Sequence, residues 1–162
     1  SVLQTAAPGI DELPRLPLAL QTYKEAMRLY PGGFTIGRQA TEDVTLGEFQ
    51  IEQGAWVMVS PFSVQRNASV FPEPLRFAPE RFADEAERGW PKGAYLPFGL
   101  GARACIGAQF ALMEGHTIVA ALARAVDFCD ETPTPAQVRP MIALSPDRVI
   151  TMRVRHRAGA AA

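Results

Sequence analysis

Cysteine and histidine are nearly absent: the 162 residues contain two of each. Cys105 and Cys129 are too few for a disulfide framework, which points to a reducing, cytoplasmic setting. Paired Cys and His ligands at zinc spacing are missing as well. No run approaches the ~18 apolar residues of a membrane-crossing helix. Charge of one sign is also lacking, with 16 basic and 17 acidic residues giving a net charge of -1. That balance argues against nucleic acid or an anionic membrane as a partner. The short basic cluster at 153–157 reads as a solvated tail. The opening residues have neither the basic start nor the apolar centre of a signal peptide. A first residue Ser1 in place of Met reads as a processed or partial chain.

Proline and glycine, in contrast, are plentiful, at 14 and 13 residues. They punctuate the chain into short elements. Leu18–Tyr30 is rich in helix formers, follows Pro17 and is stopped by Pro31-Gly32-Gly33, so it predicts a helix. The pattern then changes period and predicts a β-hairpin of Val44–Ile51 with Ala55–Ser60. Proline-rich residues 61–95 predict a short helix near Val64–Asn67 and then a long irregular segment. Loops of that length inside a domain are more often functional than not. A second helix is expected over Ile106–Ala125, burying a stripe of Ile106, Phe110, Met113, Thr117 and Ala121. Met141–Arg155 reads as a further hairpin turning at Pro146–Arg148. The class is mixed α+β, mainly helical with small β-hairpins, and residues 158–162 read as a disordered tail.

The most informative stretch is "PFGLGARACIGAQF", Pro97–Phe110. Gly99 and Gly101 allow backbone conformations that other residues resist. Gly107 falls in the expected first helical turn, where a close neighbour would explain it. Cys105 lies just before that helix, where unpaired N–H groups and the helix dipole favour an anionic sulfur. Such a sulfur is a nucleophile or a metal ligand, and in isolation a buried structural thiol is the plainer reading. His116 is about 15 Å further along the helix and makes a poor base. A single-thiolate metal ligand fits better, its remaining ligands coming from a cofactor. Cys129 reads as a small strand residue and His116 as a surface or packed residue, both without chemistry.

The pattern Phe98-x-x-Gly101-x-Arg103-x-Cys105-x-Gly107 resembles the heme-binding signature of the cytochrome P450 monooxygenases. Glu25-x-x-Arg28 is similar to the E-x-x-R of that family's K helix, and Pro79-Glu80-Arg81-Phe82 to its meander motif. The resemblance extends from about Leu13 to Arg155. It implies the C-terminal part of that fold, from K helix to L helix and terminal sheet, with residues 1–157 as its heme-binding portion. It implies heme b as cofactor, with Cys105 as axial thiolate on the iron. Phe98 would shield the sulfur, Gly101 and Gly107 would let the backbone pass close to the porphyrin, and Arg103 and Arg38 would meet propionates. Pro97, Gly99, Ile106 and Ala111 complete the implied cofactor contacts. Glu25, Arg28 and Arg81 would form a structural charge cluster, against the plainer reading of a surface pair.

The same resemblance places Gly33, Phe34, Thr35 and Ile36 in a loop over the heme. It makes Met141–Leu144, with Ile142, the last substrate-contacting strand. These side chains suit an apolar small molecule, and the resemblance leans toward fatty-acid hydroxylation. It also implies a ferredoxin or flavin reductase as redox partner. The acid–alcohol pair of the family's oxygen-activating helix has no counterpart here. The chain therefore reads as part of a monooxygenase. The alternative is a truncated module that binds heme, or senses it or a gas on it, without turnover; a further reading is a remnant that holds no heme.

Overall fold

The computed structural model describes residues 8–131 and 134–157, with the side chain of Glu85 excepted. The expected tail, 158–162, lies outside the described residues. A 3-10 turn over Ile10–Arg15 leads into helix α1, Pro17–Leu29. Pro17 opens α1, where a missing N–H costs nothing. Tyr30 closes it, its N–H donating to Ala26 O at 2.7 Å, and Pro31 follows.

Four short strands come next: β1 Ile36–Gln39, β2 Val44–Leu46, β3 Phe49–Ile51 and β4 Trp56–Val59. The expected pairing of Val44–Ile51 with Ala55–Ser60 does not form. Gly47, at φ 62°, turns the first of these segments back on itself, so β2 pairs with β3. β4 then pairs antiparallel with β1, Gln39 opposite Trp56, enclosing the inner hairpin. A turn residue that tolerates positive φ decides this register.

The short helix expected at Val64–Asn67 lies earlier, as α2, Pro61–Val64. Ser60 caps it by accepting from the Ser63 N–H at 3.2 Å, and Pro61 takes its first position. The segment expected to be irregular holds an 11-residue 3-10 stretch, Pro79–Gly89. Helix α3, Ala108–Ala125, runs directly into β5, Val126–Asp130. Then come β6 Val138–Pro140, β7 Leu144–Pro146 and β8 Met152–His156. The hairpin expected to turn at Pro146–Arg148 is replaced by two ladders, β6 with β7 and β5 with β8. Met141–Leu144, expected as a strand, is the β6–β7 turn up to Leu144, which opens β7. The basic cluster is strand and not tail: Cys129 faces Arg153 across the β5–β8 ladder. It is nevertheless solvated, since every residue of β8 is exposed.

The core lies between α1 and the coil that follows α2. Leu29, Phe71, Ala78, Phe82, Ala94 and Leu96 are buried there. Trp90 meets Phe71 and Phe82 edge-on, at centroid separations of 4.8 and 5.1 Å, and Tyr95 packs on Phe82 at 5.0 Å. Such edge-to-face pairs add directionality to apolar burial.

Helix α3 packs on α1 with a different face from the one its periodicity suggests. Ile106, ahead of the helix, is fully exposed, Phe110 is 64% exposed and Met113 is exposed too. Thr117 and Ala121 are half-buried, whereas Gly115, His116 and Ala120 are buried. The reason is backbone approach. A Cβ on Gly115 would lie 2.2 Å from Cζ of Tyr23, so the Tyr23 ring occupies the space a side chain would take. His116 Nε2 reaches Leu16 O at 2.8 Å, joining α3 to the start of α1.

Candidate functional site

The loop Pro97–Gly107 is held by its own backbone. Gly99 N–H donates to Leu96 O at 3.2 Å, Cys105 N–H to Phe98 O at 2.8 Å, and Ala104 N–H to Gly101 O at 3.0 Å. Gly99 and Gly101 take φ of 73° and 78°, in the left-handed region, so both turns need glycine. Gly107 differs from its expected place. It is the N-cap of α3 with φ -86°, and a Cβ there would only touch Cys105 Sγ at 3.8 Å. Neither conformation nor crowding within the described residues demands glycine there.

Cys105 is exposed, which removes the reading of a buried structural thiol. It stands two residues before the cap of α3, so the helix N-terminal N–H groups lie past it. Its sulfur opens onto a cleft of about 950 Å³. Of the residues singled out in the sequence, Gly33, Ile36, Arg38, Pro97, Phe98, Gly99, Arg103 and Cys105 line this cleft. Phe34, Thr35, Ile106, Gly107, Ala111 and Ile142 are not among its lining, and Ile142 is fully exposed at the tip of the β6–β7 turn. Tyr23, Met27 and Tyr30 of α1 and its cap form another wall. Sequence reasoning missed them because α1 presents them on the face opposite its ionic residues.

Arg38 and Arg103 are both exposed. Arg38 Nη1 donates to Gly37 O at 2.8 Å. Among the described residues neither guanidinium is ion-paired, although ion pairs are common elsewhere in the chain. The wall thus combines one accessible thiol, two cations with no ion-pair partner among the described residues, and mostly apolar carbon. That donor set fits a flat apolar macrocycle carrying two carboxylates and a metal that accepts sulfur.

Behind this wall lies the charge cluster. Glu25 and Arg28 are fully buried, so they are not a surface pair. Arg28 Nε and Nη2 donate to Glu25 Oε2 and Oε1 at 2.6 and 2.8 Å. Arg28 Nη1 donates to Gln65 O and Pro74 O, each at 2.8 Å, and Nη2 to Arg76 O at 3.3 Å. Glu25 Oε1 also accepts from Ala78 N–H at 2.9 Å. Arg81 Nε lies 3.5 Å from Glu25 Oε1 as a charge contact, while its Nη2 donates to Glu73 O at 2.9 Å. The structure therefore brings Glu25, Arg28 and Arg81 together. A carboxylate and guanidinium this deep are sustained only by such full pairing.

Burial shifts two neighbours, Tyr95 strongly and the half-buried Arg66 in part. Burial foremost, then the Glu87 and Glu25 carboxylates, push the Tyr95 phenol well above its ordinary value. Its hydroxyl donates to Lys24 O at 3.1 Å. Burial pulls the Arg66 guanidinium down, against the opposing influence of Tyr30. Arg66 stacks on Phe62 at 3.6 Å and donates to Leu29 O, one of the carbonyls at the end of α1. Gln65, fully buried at the C-cap of α2, escaped sequence reasoning because a lone polar residue at the end of a four-residue helix carries no periodic signal.

Comparison with known proteins points to one family and one fold. The family profile described as Cytochrome P450 matches residues 1–151. The chain is 36% identical over 122 residues to cyclooctatin synthase of Streptomyces melanosporofaciens, covering 75% of this chain and 27% of that protein. It is 33% identical over 156 residues to cytochrome P450 3A12 of Canis lupus familiaris, covering 95% of this chain and 31% of that one. The crystal structure of the cytochrome P450DA heme domain superposes with a TM-score of 0.84 at 28% identity, over 93% of this chain and 33% of that chain. The chain thus spans between a quarter and a third of the length of these relatives.

Proposed function

The chain belongs to the cytochrome P450 family, whose cofactor is heme b, and from that premise we propose that residues 1–157 form the heme-binding portion of a monooxygenase. The enzyme inserts one oxygen atom from O2 into an apolar small molecule, with electrons from a ferredoxin or flavin reductase. The observation that carries this reading is the exposed Cys105 sulfur on a cleft that also holds Arg38 and Arg103. In this reading Cys105 would supply the thiolate that holds the iron, and Arg38 and Arg103 would pair with the propionates. Pro97, Phe98 and Gly99, which line the cleft, would contact the cofactor, and Ile106, Gly107 and Ala111 are proposed as further contacts outside that lining. Bound heme supplies the oxygen chemistry, and a thiolate ligand favours O–O cleavage.

The protein's own share is to hold the sulfur and exclude water around it. The backbone bond from Cys105 N–H to Phe98 O ties the cysteine to Phe98, and the half-buried Phe98 would shield the sulfur once the cleft is filled. The proposed substrate contacts are Gly33 and Ile36 on the cleft, with Phe34, Thr35 and Ile142 joining them only from outside its lining. Their apolar character favours an apolar substrate, with a fatty acid as the specific case.

The test is the absorption spectrum of the reduced, carbon-monoxide-bound chain after heme reconstitution, beside Cys105→Ala. A strongly red-shifted Soret band that disappears in Cys105→Ala is expected. A band indifferent to Cys105, or no heme uptake, overturns the reading. Thiolate-ligated heme with no turnover of any apolar substrate, given a reductase, leaves the module that binds heme without hydroxylating.

A further inference from the structure

Gln65 is fully buried, and its side chain spends three hydrogen bonds on two places far apart in sequence. Its Nε2 donates to Met27 O at 3.1 Å and to Arg28 O at 3.0 Å. These carbonyls belong to the last turn of α1, where helical carbonyls have no partner of their own. Its Oε1 accepts from Leu96 N–H at 2.6 Å. Leu96 immediately precedes the cysteine loop, and its carbonyl receives the Gly99 N–H. The Gln65 carbonyl, in turn, is a partner of Arg28 Nη1. One residue therefore joins the buried ion pair, the end of α1 and the residue just before the loop that carries Cys105.

We infer that Gln65 is a positioning residue for Cys105: its buried amide clamps Leu96 to the end of α1 and so sets where the loop presents its sulfur to the cleft. The inference rests on the proposed heme site for its purpose, but not for its geometry. A glutamine suits the task because an amide offers two donors and an acceptor without charge. A charged side chain would have to be neutralised at this depth, and an apolar one would leave Leu96 N–H and two carbonyls unpaired.

The test is Gln65→Met in the full chain, with Leu13→Ala as a control that loses buried apolar volume away from the loop. Amide exchange needs no heme. In Gln65→Met the Leu96 and Cys105 amides should exchange about tenfold faster, the scale set by losing a buried hydrogen bond. In the heme-loaded protein the red-shifted carbon-monoxide band should lose intensity to a less shifted one. Leu13→Ala should lower the urea midpoint and leave both readouts alone. A folded Gln65→Met with unchanged exchange and an unchanged spectrum overturns the inference, as does a Leu13→Ala that shifts the spectrum equally. Should Gln65→Met not fold, the wild-type Leu96 amide decides: slow exchange supports the clamp, and exchange at an unstructured rate refutes it. If the wild type takes up no heme, the functional reading falls, and the exchange rates still judge Gln65.

Discussion

Single residues here owe their roles to what surrounds them. Glu25 and Arg28 form an i, i+3 pair, which on a helix surface contributes a few tenths of a kcal/mol. In this fold both are fully buried, and Arg28 holds three backbone carbonyls as well as the carboxylate. Glu25→Ala strands the guanidinium away from water and should cost about 3–5 kcal/mol. Urea unfolding monitored by the Trp90 environment would measure it, and a loss below 1 kcal/mol would mean that the pair behaves as a surface one. The spacing of Glu25 and Arg28 was legible in the sequence, as was the turn chemistry at Gly99 and Gly101. The partners were not legible, because Gln65, Pro74 and Arg76 reach Arg28 only through the folding of an aperiodic coil.

At the scale of elements, the contact between α1 and α3 depends on a missing side chain. Gly115 gives way to the Tyr23 ring, so Gly115→Ala must displace that ring. Overpacking of this kind should cost about 1–3 kcal/mol. The loss should shrink in a Tyr23→Ala background, and a double-mutant cycle showing no coupling would rule out this contact as the cause. The β6–β7 hairpin depends on pH. Asp147 Oδ1 accepts from Gln137 N–H at 2.9 Å, and the Asp147 N–H donates to Gln137 O at 2.9 Å. The Arg148 side chain foremost, and the Gln137 N–H after it, hold the Asp147 carboxyl below its usual range. Its support for the hairpin is therefore complete above the ordinary aspartate pKa of about 3.9 and is lost as pH falls through the lower folded value. Measured against the intrinsic exchange rate, the protection of the Gln137 amide should fall only in that acid window, and Asp147→Asn should abolish that acid-dependent loss. An equal acid response in Asp147→Asn would place its origin elsewhere.

At the scale of the whole molecule, the chain leaves much apolar surface uncovered. Ile106, Phe110, Met113, Ile118 and Leu122 are all exposed on or beside α3, as are Trp56 and Met58 on β4. Faces like these promote association. Light scattering should show this chain alone associating as its concentration rises, and Phe110→Glu should reduce the effect; a monomer at all concentrations would contradict the expectation. Among the described residues no helix is long and apolar enough to cross a membrane, so this surface is not a span.

The sequence by itself determined the two long helices, the glycine-built cysteine loop and the family, because local propensity and short-range motifs are written in neighbouring residues. It could not determine which strands pair, since Gly47 redirects one segment and the closing partner lies beyond it. Nor could it determine the packed face of α3, which is apolar on more than one side. Only the tertiary structure decided that backbone approach at Gly115 outweighs the Ile106–Phe110–Met113 stripe. The tertiary structure likewise set Cys105, Arg38 and Arg103 on one cleft, a convergence of separate segments that no local pattern encodes.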